Sequence, residues 1–141
     1  MEPTLTSLFR GYAQWLIRAE DQDLLHRHAP GRFNHLEPDE VLLEGAFTFA
    51  AFRSMGAMAD GMAQLLRIAA GEGATSALTY VAIDNVPSLR GCANVKFDLD
   101  HVTRQREATR TPPQLRTRSR CRCKSGLGKR HRATNSSARY R

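Results

Sequence analysis

The stretch Arg53-Ser54-Met55-Gly56-Ala57-Met58 sits where a β-branched and aromatic run gives way to an amphipathic one. A strand that turns through glycine into a helix leaves the N–H groups of the helix's first turn without intrahelical partners. The positive end of the helix dipole points to the same place, so the turn can hold an anion of pyrophosphate type. Gly56 lets the backbone approach such a ligand because no Cβ intervenes, and Arg53 puts a formal charge at the rim. A plain strand–helix connection with a solvated arginine looks the same, so the turn alone does not settle the chemistry. Glu44 is the only carboxylate in the preceding run, Val41–Phe49. It has the chemistry of a general base, and equally that of a solvent-facing glutamate. Asp60, in the first turns of the following helix, is favourable charge placement against the dipole.

The elements that must position these groups can be read from hydrophobic patterning. Leu5, Leu8, Phe9, Tyr12, Trp15, Leu16 and Ala19 fall at three- and four-residue spacings and predict an amphipathic helix over residues 5–19. A short helical turn around Leu24–His28 ends at Pro30-Gly31. The run Val41–Phe49 predicts a strand of a sheet interior. From the glycine turn a helix extends to about Ala70, with Met58, Met62, Leu65, Leu66 and Ala69 on its apolar side and Gly71-Glu72-Gly73 as its stop. A strand over Ala77–Ile83, a short helix over Ser88–Asn94 and a strand over Phe97–Val102 follow. Alternation of this kind is α/β architecture with a mixed sheet.

The spacing of the motifs resembles the GNAT superfamily of N-acetyltransferases. In that family Arg or Gln, two residues, Gly, one residue, then Gly or Ala opens the central helix. Arg53 and Gly56 match, and Met58 departs. Gly73 follows Arg53 by 20 residues and Asn85 by 32, in Asp84-Asn85-Val86-Pro87-Ser88, which resembles the family's second cofactor motif. Phe97, 12 residues beyond Asn85, takes the place of the phenylalanine in the family's closing Gly-Phe. The resemblance covers about residues 40–102 and implies acetyl-CoA as co-substrate, with an acetyl group moved to an amine. It implies that the strand backbone at Phe47, Thr48, Phe49 and Ala50 pairs with the pantetheine arm, and that the N–H groups of Ser54, Met55, Gly56, Ala57 and Met58 hold the pyrophosphate. Asn85 and Ser88 would lie where the next strand splays away, and Glu44 would be the base. Cys92 stands where the family has a tyrosine that protonates the leaving thiolate, and Lys96 replaces the glycine before Phe97. Against the family the chain is short at both ends, with no final strand apparent after Val102, so a truncated and inactive remnant is the companion reading.

Charge divides the chain. Residues 1–103 hold 8 Lys/Arg and 13 Asp/Glu; residues 104–141 hold 13 Lys/Arg and only Glu107 as an acid. The expectation is therefore an acetyltransferase-like domain over 1–103 and a disordered basic tail over 104–141. That tail has three readings: an out-of-frame translation product, a natural solvated tail, or an arm that binds nucleic-acid phosphates. Tyr140 is its only aromatic, which provides poorly for base stacking. Cys92, Cys121 and Cys123 make no disulfide framework, and neither the Cys121–Cys123 pair nor His26, His28 and His35 has the spacing of a metal site. No run approaches the length of a membrane span, and the start lacks a secretory pattern, so the expected location is the cytoplasm. The acceptor amine and the oligomeric state are not legible.

Overall fold

The computed structural model describes residues 11–107 and 114–124. Five strands form one sheet in the order β1-β2-β3-β5-β4: β1 Tyr12–Arg18, β2 Glu40–Thr48, β3 Ser76–Ala82, β4 Asp98–Glu107 and β5 Gln114–Cys123. The β2/β3 pair is parallel and the other three are antiparallel. Helix α1 is Gln22–His28, α2 is Ala57–Gly71 and α3 is Val86–Asn94. The sheet is covered on both faces. Leu16, Val41, Leu43, Ala77, Val81, Cys121 and Cys123 pack with Met62, Leu65, Leu66 and Ala69 of α2 and with Leu89, Cys92 and Phe97 in one cluster. Leu42, Leu78 and Tyr80 point the other way, into Phe33, Leu36 and the apolar side of α1. Burial on both faces is why β2 and β3 read as continuous apolar runs.

In the described part of the predicted helix over residues 5–19, a helix is not what forms. Residues 12–18 are strand β1, and residues 1–10 lie outside the described part. Tyr12, Gln14 and Leu16 are the buried side of that strand. Gln14 breaks the apolar alternation that would have announced it, yet it is buried with the Tyr12 hydroxyl donating to its Oε1 at 2.8 Å. Trp15, read as core, is 40% exposed and lies across Gly45.

The boundary at residue 103 is corrected as well. β4 runs on to Glu107, and β5 lies inside the sheet between β3 and β4. It pairs with β3 from Ala77↔Cys123 to Ala82↔Arg118, and with β4 along its whole length. The strand missing from the sequence reading is thus present within residues 114–123, whereas residues 125–141 lie outside the described part. β5 alternates: Ser119, Cys121 and Cys123 are buried toward the helices, and Arg118, Arg120 and Arg122 occupy the opposite face. Those arginines meet acids from the first part of the chain. Arg122 bonds Glu40, Arg120 holds Asp100 at 2.6 Å, and Arg118 leans on Glu44 at 3.5 Å.

Helices α2 and α3 stop by the same device. The N–H of Ala74 bonds the Ala69 carbonyl and that of Gly73 bonds Ala70; likewise Phe97 bonds Cys92 and Lys96 bonds Ala93. Each pair is a Schellman motif, which needs a left-handed residue at its second-last position. Gly73 fills it at φ +97° and Lys96 at φ +65°. A side chain in that conformation costs about 1–2 kcal/mol. Lys96→Gly is therefore expected to raise stability in urea unfolding by about 1 kcal/mol, and Gly73→Ala to lower it by about as much.

Candidate functional site

β2 and β3 run side by side only from Glu40↔Ser76 to Leu43↔Thr79. At the last rung the Thr79 hydroxyl donates to the Leu43 carbonyl at 2.9 Å. Beyond it β2 stays with β1 as far as Thr48, and β3 stays with β5 as far as Ala82, so the two facing edges part. A bulge assists. Trp15 faces Glu44 and Ala13 faces Phe47, which leaves one extra residue on β2 where Gly45 has φ +69°. A bulge of this kind bends and twists its strand.

The opening is a cleft of about 780 Å³. Its walls are Leu43–Ala46 of β2, Thr79–Ala82 of β3, Gln14 of β1, Met58 at the start of α2, Asn85 and Ser88 at the start of α3, and the segment His28–Arg32. Arg104 and Arg118 complete it from β4 and β5. Of the residues predicted from sequence, Glu44, Met58, Asn85 and Ser88 are thus brought together. Phe47, Thr48, Phe49, Arg53, Ser54, Met55, Gly56 and Ala57 are not among the walls; they continue the chain from Ala46 round to Met58. Phe47 and Phe49 are half exposed and meet edge to face, with ring centroids 5.1 Å apart.

The turn into α2 has the form an anion site needs. Gly56 is the N-cap at φ +77° and ψ 7°, and no side chain caps the helix. Ser54 is also left-handed, at φ +62°. The Asp60 N–H is the first to bond back into the helix, to the Gly56 carbonyl, so the N–H groups of Ala57, Met58 and Ala59 are the open donors of the first turn. Arg53 is held over the end of β2, its Nε donating to the Thr48 carbonyl at 3.2 Å. Asn85 caps α3: its Oδ1 accepts from the Ser88 N–H at 3.3 Å, which leaves the Nδ2 to donate elsewhere.

Glu44 is not a solvent-facing glutamate. Its side chain is 20% exposed, with Arg118 at 3.5 Å and Arg32 at 4.0 Å. Burial raises its pKa above the ordinary 4.5, and Arg118 and Arg32 oppose that shift without cancelling it. Arg118 is the residue that sequence reasoning missed. It is 8% exposed, its Nη1 has no hydrogen-bond partner, and its guanidinium carbon lies 5.5 Å from the Phe33 ring centroid and 5.2 Å from that of Tyr80. The signal that could have found it is the Arg–small–Arg–Cys–Arg–Cys alternation of residues 118–123. Cys92 is a small core residue, 1% exposed, whose thiol is pushed up to about 12 by burial and then by Cys121. Among the described residues no three of His, Cys, Asp or Glu gather as metal ligands, and no helix is long and apolar enough to cross a membrane.

No protein-family model matches the sequence, and no curated protein does. Solved structures do match. An N-acetyltransferase from Staphylococcus aureus Mu50 superposes with a TM-score of 0.58 at 9% identity, over 81% of this chain and 60% of that one. The protein yncA from Salmonella typhimurium, solved with its cofactor acetyl-CoA, gives 0.56 at 10% identity, over 89% and 62%. The fold is that of the GNAT N-acetyltransferases. An IAA acetyltransferase from Bacillus cereus shares it, at a TM-score of 0.52 and 10% identity, over 80% and 99%. Other matched GNAT-fold structures are longer, and the chain spans 54 to 63% of them.

A carboxyl whose pKa rises on folding binds its proton more tightly in the native chain than in the unfolded one. Its contribution to stability is present below the unfolded value and is lost as pH climbs through the native one. Glu44→Gln fixes the neutral form. In urea unfolding it is expected to match the wild type at about pH 4 and to be the more stable of the two at about pH 7.

Proposed function

We propose that the chain binds acetyl-CoA across the parted edges of β2 and β3 and transfers the acetyl group to an amine. The observation that carries this reading is the cleft itself. A parallel pair opens after Leu43 and Thr79, and the open strand leads into a helix whose first turn is capped by glycine alone. The free edge of β2 from Ala46 to Phe49 offers main-chain donors and acceptors to an amide-rich arm, as a sheet edge does to a peptide. The N–H groups from Ser54 to Met58 suit the pyrophosphate, with the dipole of α2 adding to them.

The chemistry assigned to the chain's own residues is short. A strand N–H beside the bulge at Gly45 stabilises the oxyanion that develops on the acetyl carbonyl. Glu44, at the mouth of the opening and with its pKa held up by burial, takes one proton from the incoming ammonium, and the neutral amine then attacks the thioester carbonyl. The new N–C bond replaces the C–S bond, a second N–H proton passes to the departing sulfur, and coenzyme A leaves as its thiol. Cys92 takes no part, because it is buried in the core and does not line the cleft.

Acetyl-CoA is expected to raise the melting temperature of the full chain, and Gly56→Val to weaken its binding about tenfold, roughly 1.4 kcal/mol. No thermal shift at millimolar acetyl-CoA would remove the proposal. In a thiol-release assay with an amine that turns over, Glu44→Gln is expected to lower kcat by about 100-fold or more while leaving acetyl-CoA affinity unchanged. Binding without release of thiol from any of a broad amine panel would reduce the assignment to a chain that holds the cofactor and does not react it.

A further inference from the structure

Three arginines on β5 share one face of the sheet, and they do not share a fate. Arg120 donates its Nε to Asp100 at 2.8 Å, and Arg122 bonds Glu40 and the Ser76 hydroxyl. Arg118, the one that reaches the cleft, is more deeply buried than either and makes no hydrogen bond of that quality. Its Nη2 stands 3.5 Å from Glu44 Oε1, well beyond the roughly 2.7–2.9 Å of a charge-assisted bond, and its Nη1 is without a partner. The guanidinium lies beside the Phe33 and Tyr80 rings, its carbon 5.5 and 5.2 Å from their centroids. A buried cation with one arm of its fork unsatisfied is costly unless something completes it. The planar fork of an arginine is matched by a carboxylate, which it binds through two parallel bonds.

The rest of the cleft carries the same sign. Arg32 and Arg104 stand on its walls with Arg118, and Glu44 is the only acid among them. A simple dianion would meet Glu44 beside the arginine, which is unfavourable. A zwitterion meets it well, with its carboxylate on Arg118 and its ammonium on Glu44, a few ångströms away.

We infer that the acceptor is an amine carrying a carboxylate close to its nitrogen, an amino acid or near relative, with Arg118 holding the carboxylate and Glu44 receiving the ammonium. This rests on the acetyl-transfer reading for the step that follows binding, and not for the binding itself. Arg118 is then a specificity-determining residue. Glu44 becomes the base for an amine that Arg118 has already placed beside it. The arrangement discriminates strongly, because a neutral or purely cationic amine leaves the Nη1 of Arg118 still without an acceptor.

The test is calorimetric titration of the full chain, without acetyl-CoA, using the standard amino acids and 4-aminobutyrate. Each acid is paired with its carboxamide and with the amine that lacks the carboxylate. At least one acid is expected to bind about tenfold or more tighter than its carboxamide. That ratio is expected to fall to about unity in Arg118→Lys, which keeps the charge and loses the fork. Circular dichroism checks that the variant is folded. If it is not, Arg32→Gln, at a more exposed position, is expected to narrow the ratio by a few-fold. Carboxamides or plain amines that bind as tightly as the acids, or no binding by any acid at millimolar concentration, overturn the inference. A carboxylate preference without acetyl-CoA stabilisation overturns the transfer reading alone; acetyl-CoA stabilisation without the preference overturns this inference alone.

Discussion

Everything at the candidate site follows from where the β2/β3 ladder stops. Four rungs hold the parallel pair together, and then each strand stays with its other neighbour. Two causes reinforce one another. The extra residue at Gly45 bends β2 with β1, while β3 stays paired with β5 through Ala82. The main-chain groups released on the facing edges would be costly if they were sealed from water without partners. A cleft open to solvent is the arrangement that leaves them satisfied and still available. The α2 N-terminus is a product of the same geometry, since the loop leaving the bent strand must turn sharply back to reach the helix covering the sheet.

β5 holds this arrangement from the other side. Its small buried residues, Ser119, Cys121 and Cys123, let α2 and α3 lie close to the sheet, and its arginines draw in Glu40, Glu44 and Asp100. The opposite charges of the two parts of the chain are therefore, in this region, the two sides of one set of cross-strand pairs. Arg118, Arg120 and Arg122 are turned to carboxylates of their own sheet. Such pairs contribute modestly where they are exposed. Around Arg122 the partly buried network with Glu40, Ser76 and Asp100 fixes register, because slipping β5 by one residue would send every arginine into the core.

The sequence made β2 and β3 legible as mostly apolar runs, and α2 and α3 as helices opened by the turns at Gly56 and Asn85. Joint spacing of Arg53, Gly56, Gly73, Asn85 and Phe97 carried the fold further than any single motif could. What stayed hidden was hidden for definite reasons. Gln14 is a polar residue on a buried face, and its satisfaction by Tyr12 cannot be read from a hydropathy pattern. In β5 the buried residues are serine and cysteine and the alternating ones are arginine, so a real period of two looks like a polar, basic run. Arg118 was obscured with its strand, and with it the sign of the cleft. Lys96 shows the reverse case. Its place before Phe97 predicts a tight backbone position, and the left-handed conformation found there is the one a glycine would adopt.

The central place of β5 also bears on how the domain is assembled as it is made. Neighbouring strands in sequence do not complete this sheet: β3 and β4 are both synthesised before the strand that lies between them. Until residues 114–123 have left the ribosome, β3 has an unpaired edge and β4 has no partner in the sheet. Chains in that interval expose the strand edges from which misassembly and aggregation begin. A stop at any codon from 108 to 113 would fix them in that condition. Such a product would be an unclosed sheet with its cleft unformed, and the cell's chaperones and proteases would meet it as an unfolded chain.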